Sequence, residues 1–362
     1  MADTDRATVV PASSHVMIFA PLPILTVTVE DRGDGAEIHL HAGGQGVWQA
    51  RMVAALDTQV TICAVFGGET GQVLRHLIPE EGIELRAVPG VARNGAYLHD
   101  RRSGRRVAVA EDPGDSIQRH ELDELYNEAL VDGLAATVCV LSGPHDPAML
   151  PADVYRRLAH DLSGPGRYVV ADLAGDNLNA AIDGGANVIK VSDEELTRYG
   201  HADSDSLDDL LAVLAHLGAS GAKIAVVSRA DEPALVMIDG EFYLIEMPSL
   251  EPVDPRGAGD SMTAGIAAAL AGGQAPDIAV RLGAAAGAVN VTRSGLGTGE
   301  GSAVIRLLPH ILLKPLRSGD SSGAARVRSA GVDEAVTADG SDRPERHQVA
   351  TPDDLAAEVS EQ

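Results

Sequence analysis

The chain has 362 residues, 53 acidic against 28 basic, and a formal charge of −25; 45% of its residues are hydrophobic but only 3% are aromatic. It is long enough for one large α/β domain or two ordinary ones, with a core built from Ala, Val, Leu and Ile. The charge excludes a general nucleic-acid or anionic-membrane surface, since a polyanion is repelled at long range, and an anionic small substrate needs local basic residues of its own.

The opening, MADTDRATVVPASS, lacks the basic start and apolar centre of a signal peptide and reads as a flexible lead over residues 1–14. No apolar run approaches a membrane span, so a cytoplasmic protein is expected. Strands are predicted at HVMIFAPLPILTVTVE (15–30), TQVTICAVFGG (58–68), ATVCVLSG (136–143), RYVVADLAG (167–175), ANVIKVS (186–192) and AKIAVVSRA (222–230), most of them followed by a helical pattern. Their apolar runs are continuous rather than alternating, which predicts a largely parallel sheet with both faces covered by helices. AEIHLH (36–41) and GAYLHDRRSGRRVAVAE (95–111) alternate or carry a turn, and predict a small antiparallel lid beside that sheet. Cys63 and Cys139 lie in apolar strand contexts and read as buried free thiols of a reducing compartment. His39, His41, His99, His145 and His160 show no metal-ligand spacing. One folded unit is expected over 15–314. From about 315 Ser, Gly, Asp and Ala dominate without periodicity, which predicts a disordered acidic tail over 315–362.

The densest chemical signal is RGAGDSMTAGIAAALAGG, starting at Arg256. Gly257, Ala258 and Gly259 let an anion approach backbone N–H groups where a helix begins, a setting suited to phosphate. The plainer reading makes Asp260 the N-cap of that helix. Neither a Gly-x-x-x-x-Gly-Lys-[Ser/Thr] loop nor a Gly-x-Gly-x-x-Gly after a strand occurs, so those nucleotide folds are disfavoured.

DPRGAGDSMTAGIAAAL resembles the C-terminal signature of the ribokinase-like, or phosphofructokinase B (PfkB), carbohydrate kinases, and HAGGQGVWQARMVAALD (41–57) resembles their Gly-Gly motif. FGGETGQVLRHLIPEEGI, VLSGPHDPAMLPADVYRRL, ADLAGDNL, VIKVSDEEL and VVSRADEPALV follow between them in the family's order. The look is nearest to the branch acting on sugar phosphates such as fructose 1-phosphate. The resemblance implies a ribokinase-like α/β fold, ATP and Mg²⁺ as co-substrate and cofactor, and a homodimer through the lid. It implies Asp260 as the base, with Gly257, Ala258 and Gly259 as the anion hole. It places Lys190, Ser192 and Ser228 on the nucleotide and Glu195 on the metal through water, and Gly43, Gly44, Thr26, Trp48 and Arg93 on the acceptor, Arg93 pairing its phosphate.

Several positions depart from the family. Thr26 replaces an Asp, Gln45 a Lys or Gly, Trp48 an Asn and Ser192 an Asn, while Ala230 and Pro233 replace glycines of the nucleotide loop. Read alone, Ser192 is equally a helix cap, Trp48 a core residue, and Arg93 a solvated arginine. DRRSGRRVAV (100–109) adds four arginines that could steer an anion. The alternatives are a kinase of an unphosphorylated sugar or nucleoside, and a binding protein that has lost turnover.

Overall fold

The structure, a computed structural model, describes residues 14–316 apart from 34, 231, 249–255, 293–296 and 298. The apolar run 15–30 is not one strand. Pro21 and Pro23 interrupt it, each lacking an N–H donor, and it divides into β1 (His15–Phe19) and β2 (Ile24–Asp31), which join different sheets.

Among the described residues the main sheet has ten strands. Their spatial order is β14 (Leu312–Pro315), β13 (Glu241–Glu246), β12 (Glu232–Ile238), β11 (Ile224–Arg229), β10 (Val188–Ser192), β9 (Tyr168–Asp172), β8 (Val138–Ser142), β1, β4 (Gln59–Phe66) and β5 (Glu84–Pro89). From β11 to β5 all neighbours are parallel, as continuous apolar runs predict. β12, β13 and β14 extend the sheet as an antiparallel edge.

The second sheet, the lid, is ordered β3 (Ala36–Gly43), β2, β6 (Asn94–Asp100), β7 (Val107–Gly114). It is larger than the two expected segments because β2 joins it, and it is mixed rather than antiparallel, since β2 and β6 run parallel.

Helices α1 (Gln45–Ala55), α2 (Gly68–Glu80), α8 (Ala258–Ala271), α9 (Pro276–Val291) and α10 (Gly301–Leu307) cover one face of the main sheet. Helices α3 (Arg119–Ala135), α4 (Asp153–Leu162), α5 (Gly175–Asp183), α6 (Asp193–Arg198) and α7 (Leu207–Ala219) cover the other. β1 feeds both cores: Val16 and Ile18 enter the first, Met17 and Phe19 the second, all fully buried. Cys63 and Cys139 are buried free thiols in the second core. Burial pushes the Cys139 thiol up to about 12 and that of Cys63 higher still. Among the described residues no helix is long and apolar enough to cross a membrane.

β14 pairs with β13, and the Leu316 N–H donates to the Phe242 carbonyl at 2.8 Å. The folded unit therefore passes the expected boundary at 314 and reaches Leu316. The expected tail from 317 onward, and residues 1–13 of the lead, lie outside the described residues. Ending the chain after Leu316 is expected to leave the melting temperature unchanged, because the composition beyond it offers little to bury. Ending it after Ile311 removes β14, uncovers β13, and should cost about 2 kcal/mol. Thermal unfolding of both truncations checks this; a large loss on the first would show that residues 317–362 dock on the domain.

Candidate active site

The chemistry gathers at the carboxyl ends of the parallel strands, where open α/β sheets bind ligands. Ser142 ends β8, Asp172 ends β9 and Ser192 ends β10; Ser228 of β11 stands in register with Ser192. Helix α8 starts from Gly257, whose φ of 73° is the left-handed conformation that favours glycine. Because the cap is Gly257, Asp260 is the third residue of the helix and not its N-cap. It stands in the first turn, near the positive end of the helix, and the cap has no side-chain hydrogen bond.

A buried polar network supports this corner. Asp172 Oδ2 accepts from Gln49 Nε2 at 2.9 Å and from Thr263 Oγ1 at 2.8 Å, and Lys190 Nζ lies 3.3 Å from Oδ1. The Ser142 hydroxyl donates to Gln49 Oε1. One carboxylate thus ties together β9, β10, α1 and α8. A methyl added at Gly259 would lie 2.5 Å from Lys190 Nζ, so the ammonium sits against the first turn of α8. Gln45 accepts from the Gly143 N–H at 2.9 Å and donates to the Asp172 carbonyl at 3.2 Å, and its amide, close to Asp260, favours the charged form of that carboxyl.

These contacts set the protonation states. Burial and the Asp172 charge, with a smaller push from Glu195, carry Asp260 up to about 7 against the pull of Lys190. Burial disfavours the Lys190 charge, but Asp172, Glu195 and Asp260 outweigh it and hold the ammonium above the ordinary lysine value. Burial likewise raises Asp172, opposed by Lys190.

Ser192 and Glu195 form a reciprocal cap at the start of α6. The Ser192 N–H and hydroxyl lie 2.9 and 2.8 Å from Glu195 Oε2, and the Glu195 N–H donates to Ser192 Oγ at 3.2 Å. Only Oε2 of Glu195 is engaged by Ser192. Among the described residues no group of three His, Cys, Asp or Glu could hold a metal ion directly. The loop with Ala230 and Pro233 is a short hairpin between β11 and β12, and Pro233 falls where the register shifts, a position that tolerates its missing donor.

Beside this corner lies a cavity of about 610 Å³. Thr26, Thr28, Tyr97 and His99 supply its lid wall; Thr26 registers with His41 and Tyr97, and Thr28 with His99, which puts them on one face of the lid. Trp48 and Gln45 line it from α1, Gly44 from the cap before that helix, and Arg256 from the approach to α8. A methyl at Gly43 would lie 3.0 Å from Thr26 Oγ1 and 3.6 Å from Trp48 Nε1, so Gly43 keeps those two side chains together. Trp48 is thus a cavity wall residue. His41, His99 and His145 also line the cavity, and Tyr97 meets His145 edge-on across it at 5.3 Å. Arg51 lines it too, paired with Glu81.

Arg93 is elsewhere. It is absent from the cavity wall, and its guanidinium is held by Asp115 at 3.0 and 3.1 Å and by Asp112 at 3.1 Å. The structure therefore brings together Thr26, Gly43, Gly44 and Trp48 on one side, and Lys190, Ser192, Glu195, Ser228 and the 257–260 turn on the other, with Gln45 between them. Asp172, Gln49, Thr263 and Gln45 belong to this site although no sequence motif assigns them a role. The available signals were an aspartate closing the apolar strand VVAD and a glutamine inside the otherwise apolar face of α1.

A doubly covered sheet with a β lid over its carboxyl edge, and a glycine-led helix opening onto the cleft between them, defines the ribokinase-like class of small-molecule kinases. Residues 16–302 match the model of the pfkB family carbohydrate kinases, and the chain belongs to that family. Among solved structures it is similar to phosphofructokinase-2 from Escherichia coli in complex with potassium, at 22% identity and TM-score 0.72, covering 82% of this chain and 98% of that one. It is also similar to a candidate 1-phosphofructokinase of Thermotoga maritima (17%, TM-score 0.71, 84% and 100%). A third is Arabidopsis thaliana ribokinase complexed with ribose and ATP (20%, TM-score 0.63, 82% and 99%). The protein is a carbohydrate kinase.

Proposed function

We propose that the protein transfers the γ-phosphoryl of ATP to a hydroxyl of a sugar phosphate held in the cavity under the lid. The observation that carries this reading is Asp260, raised to about 7 and set in the first turn of α8 beside Lys190. A carboxylate with that proton affinity is a competent base near neutrality. As the hydroxyl oxygen bonds to the γ-phosphorus and the bond to the β–γ bridging oxygen breaks, Asp260 takes the hydroxyl proton and ADP leaves. The first N–H groups of α8, at Gly257, Ala258 and Gly259, have no partners within the helix and offer themselves to the transferred phosphoryl. Lys190 adds positive charge on the same side.

Gln45, fixed by its bonds to Gly143 and Asp172, favours the charged form of the base, and Ser192 and Ser228 stand at neighbouring strand ends where nucleotide phosphates would lie. Mg²⁺ entering with the nucleotide would be touched through water by Glu195 and would neutralise phosphate charge. A coupled ADP-release screen over sugar phosphates, free sugars and nucleosides tests the reading. Turnover of a free sugar or nucleoside alone would replace the acceptor assignment, and tight nucleotide binding without any turnover would replace the kinase assignment.

The lid also supports a homodimer. Ile38 and Leu40 on β3 are 63% and 46% exposed, and Val107 on β7 is 52% exposed, which leaves large apolar side chains uncovered on both edge strands. The protein is expected to elute at twice its 37.5 kDa. Ile38→Lys with Leu40→Lys should shift it to the monomer, measured by light scattering. A monomeric wild type would remove the dimer reading.

A further inference from the structure

The sugar-phosphate reading requires a cation for the acceptor's own phosphate, and Arg93 is engaged by Asp112 and Asp115 outside the cavity wall. The arginine-rich hairpin of the lid supplies another candidate. Arg101 follows the end of β6 and Arg106 precedes β7, adjoining the register pair Asp100–Val107, so the two flank one turn as cross-strand neighbours. Both are half-buried and line the cavity, whereas Arg102 and Arg105 of the same turn are exposed and Arg102 is tied to Asp100 at 2.6 Å. Arg101 has no ion-pair partner among the described residues. Arg106 lies 2.5 Å from His99 Nε2, which is also in the wall.

The Tyr97 hydroxyl, in the same wall, is buried and has no hydrogen-bond partner among the described residues, a cost that a bound acceptor oxygen would remove. The wall carries four arginines, Arg51, Arg101, Arg106 and Arg256, and two carboxylates, Glu30 and Glu81. In a chain of −25 that local excess of positive charge selects anions.

We infer that Arg101 and Arg106, with the Tyr97 hydroxyl, form the subsite for the acceptor's phosphate, in place of Arg93. This inference rests on the sugar-phosphate reading and deepens it. Two guanidiniums offer only donors and the phenol a further one, a set that suits the oxygens of a phosphate better than the hydroxyl of a free sugar. The acceptor then lies along the cavity with its anionic end under the lid and its reacting hydroxyl toward Gln45 and Asp260.

The test uses Trp48, the single tryptophan and part of the cavity wall, as an intrinsic fluorophore, with calorimetry alongside. Fructose 1-phosphate, fructose 6-phosphate, tagatose 6-phosphate and free fructose are titrated into wild-type protein and variants. Arg101→Ala and Arg106→Ala should each weaken the preferred sugar phosphate roughly tenfold or more and leave free fructose where it was. Arg101→Lys and Arg106→Lys should recover part of the loss. Arg105→Ala, on the exposed side of the turn, should change nothing, and Arg93→Ala should cost less than either lid variant. A larger loss on Arg93→Ala, or equal losses for phosphorylated and free sugar, overturns the inference. Wild-type protein that binds no sugar phosphate but releases ADP with a free sugar overturns it while sparing the kinase reading. Arginine-dependent binding without ADP release keeps the subsite and removes the kinase reading.

Discussion

Asp260→Asn is expected to lower turnover by roughly 10²–10⁴-fold, the usual contribution of a positioned base, with nucleotide affinity preserved. The amide keeps the size of the carboxylate, and Gly257 still caps the helix, so the variant is expected to fold. Two pH signatures separate a base from a merely structural group. First, wild-type kcat/KM should fall as pH drops through about 7, where Asp260 takes up its proton, and the variant's residual activity should lack that limb. Second, a carboxyl raised in the folded state contributes stability that is full below its unfolded value and lost as pH rises through its folded value. Wild-type protein should therefore lose stability between about pH 4 and pH 7 through this group, and Asp260→Asn should not. The variant is thus expected to melt higher than wild type at pH 8 and to match it near pH 4. Equal turnover in the two proteins would reduce Asp260 to a helix-start residue.

Asp172→Ala should damage both fold and activity. It leaves the Lys190 ammonium buried without its partner and strips Gln49 and Thr263 of their acceptor, and breaking a buried pair from one side typically costs about 3–5 kcal/mol. Denaturant unfolding should show a loss of that size. At temperatures where the variant is still folded, turnover should fall because Lys190 is no longer held against the first turn of α8. Asp172→Asn keeps two of the bonds and should be milder in stability than in rate. If Asp172→Ala unfolds like wild type, the network carries no structural load, and its position beneath the site needs another account.

The parallel half of the sheet was legible because its strands are buried on both faces and therefore read as unbroken apolar runs. The antiparallel edge was not: the exposed starts of EPALVMI and EFYLIE offer weak patterns, and their pairing is a long-range fact that no local window contains. The single long run at 15–30 misled because two strands of different sheets are separated only by a proline-flanked corner. At the site, the glycine-led turn and Lys190 were visible as motif residues. Asp172 and Gln49 were not, since a lone polar residue in an apolar run acquires meaning only from its partners, and these two stand 123 positions apart. Arg101 and Arg106 were seen only as charge, because which arginines of a turn face inward is settled by the register of β6 and β7.

The two cysteines offer a clock for the molecule's breathing. Cys63 and Cys139 flank the central strand β1 on either side, opposite Phe19 and Met17 in register, and neither has solvent contact. With thiols held protonated far above neutral pH, neither can meet a thiol reagent until the middle of the sheet opens. Modification of the native protein by an aromatic disulfide should therefore be slow and should report the rarest openings rather than fraying at the edges. Ligands that bind beneath the lid should slow it by the factor with which they stabilise the whole domain. The labelling rate thus measures affinity for any acceptor, including one the enzyme binds without turning over.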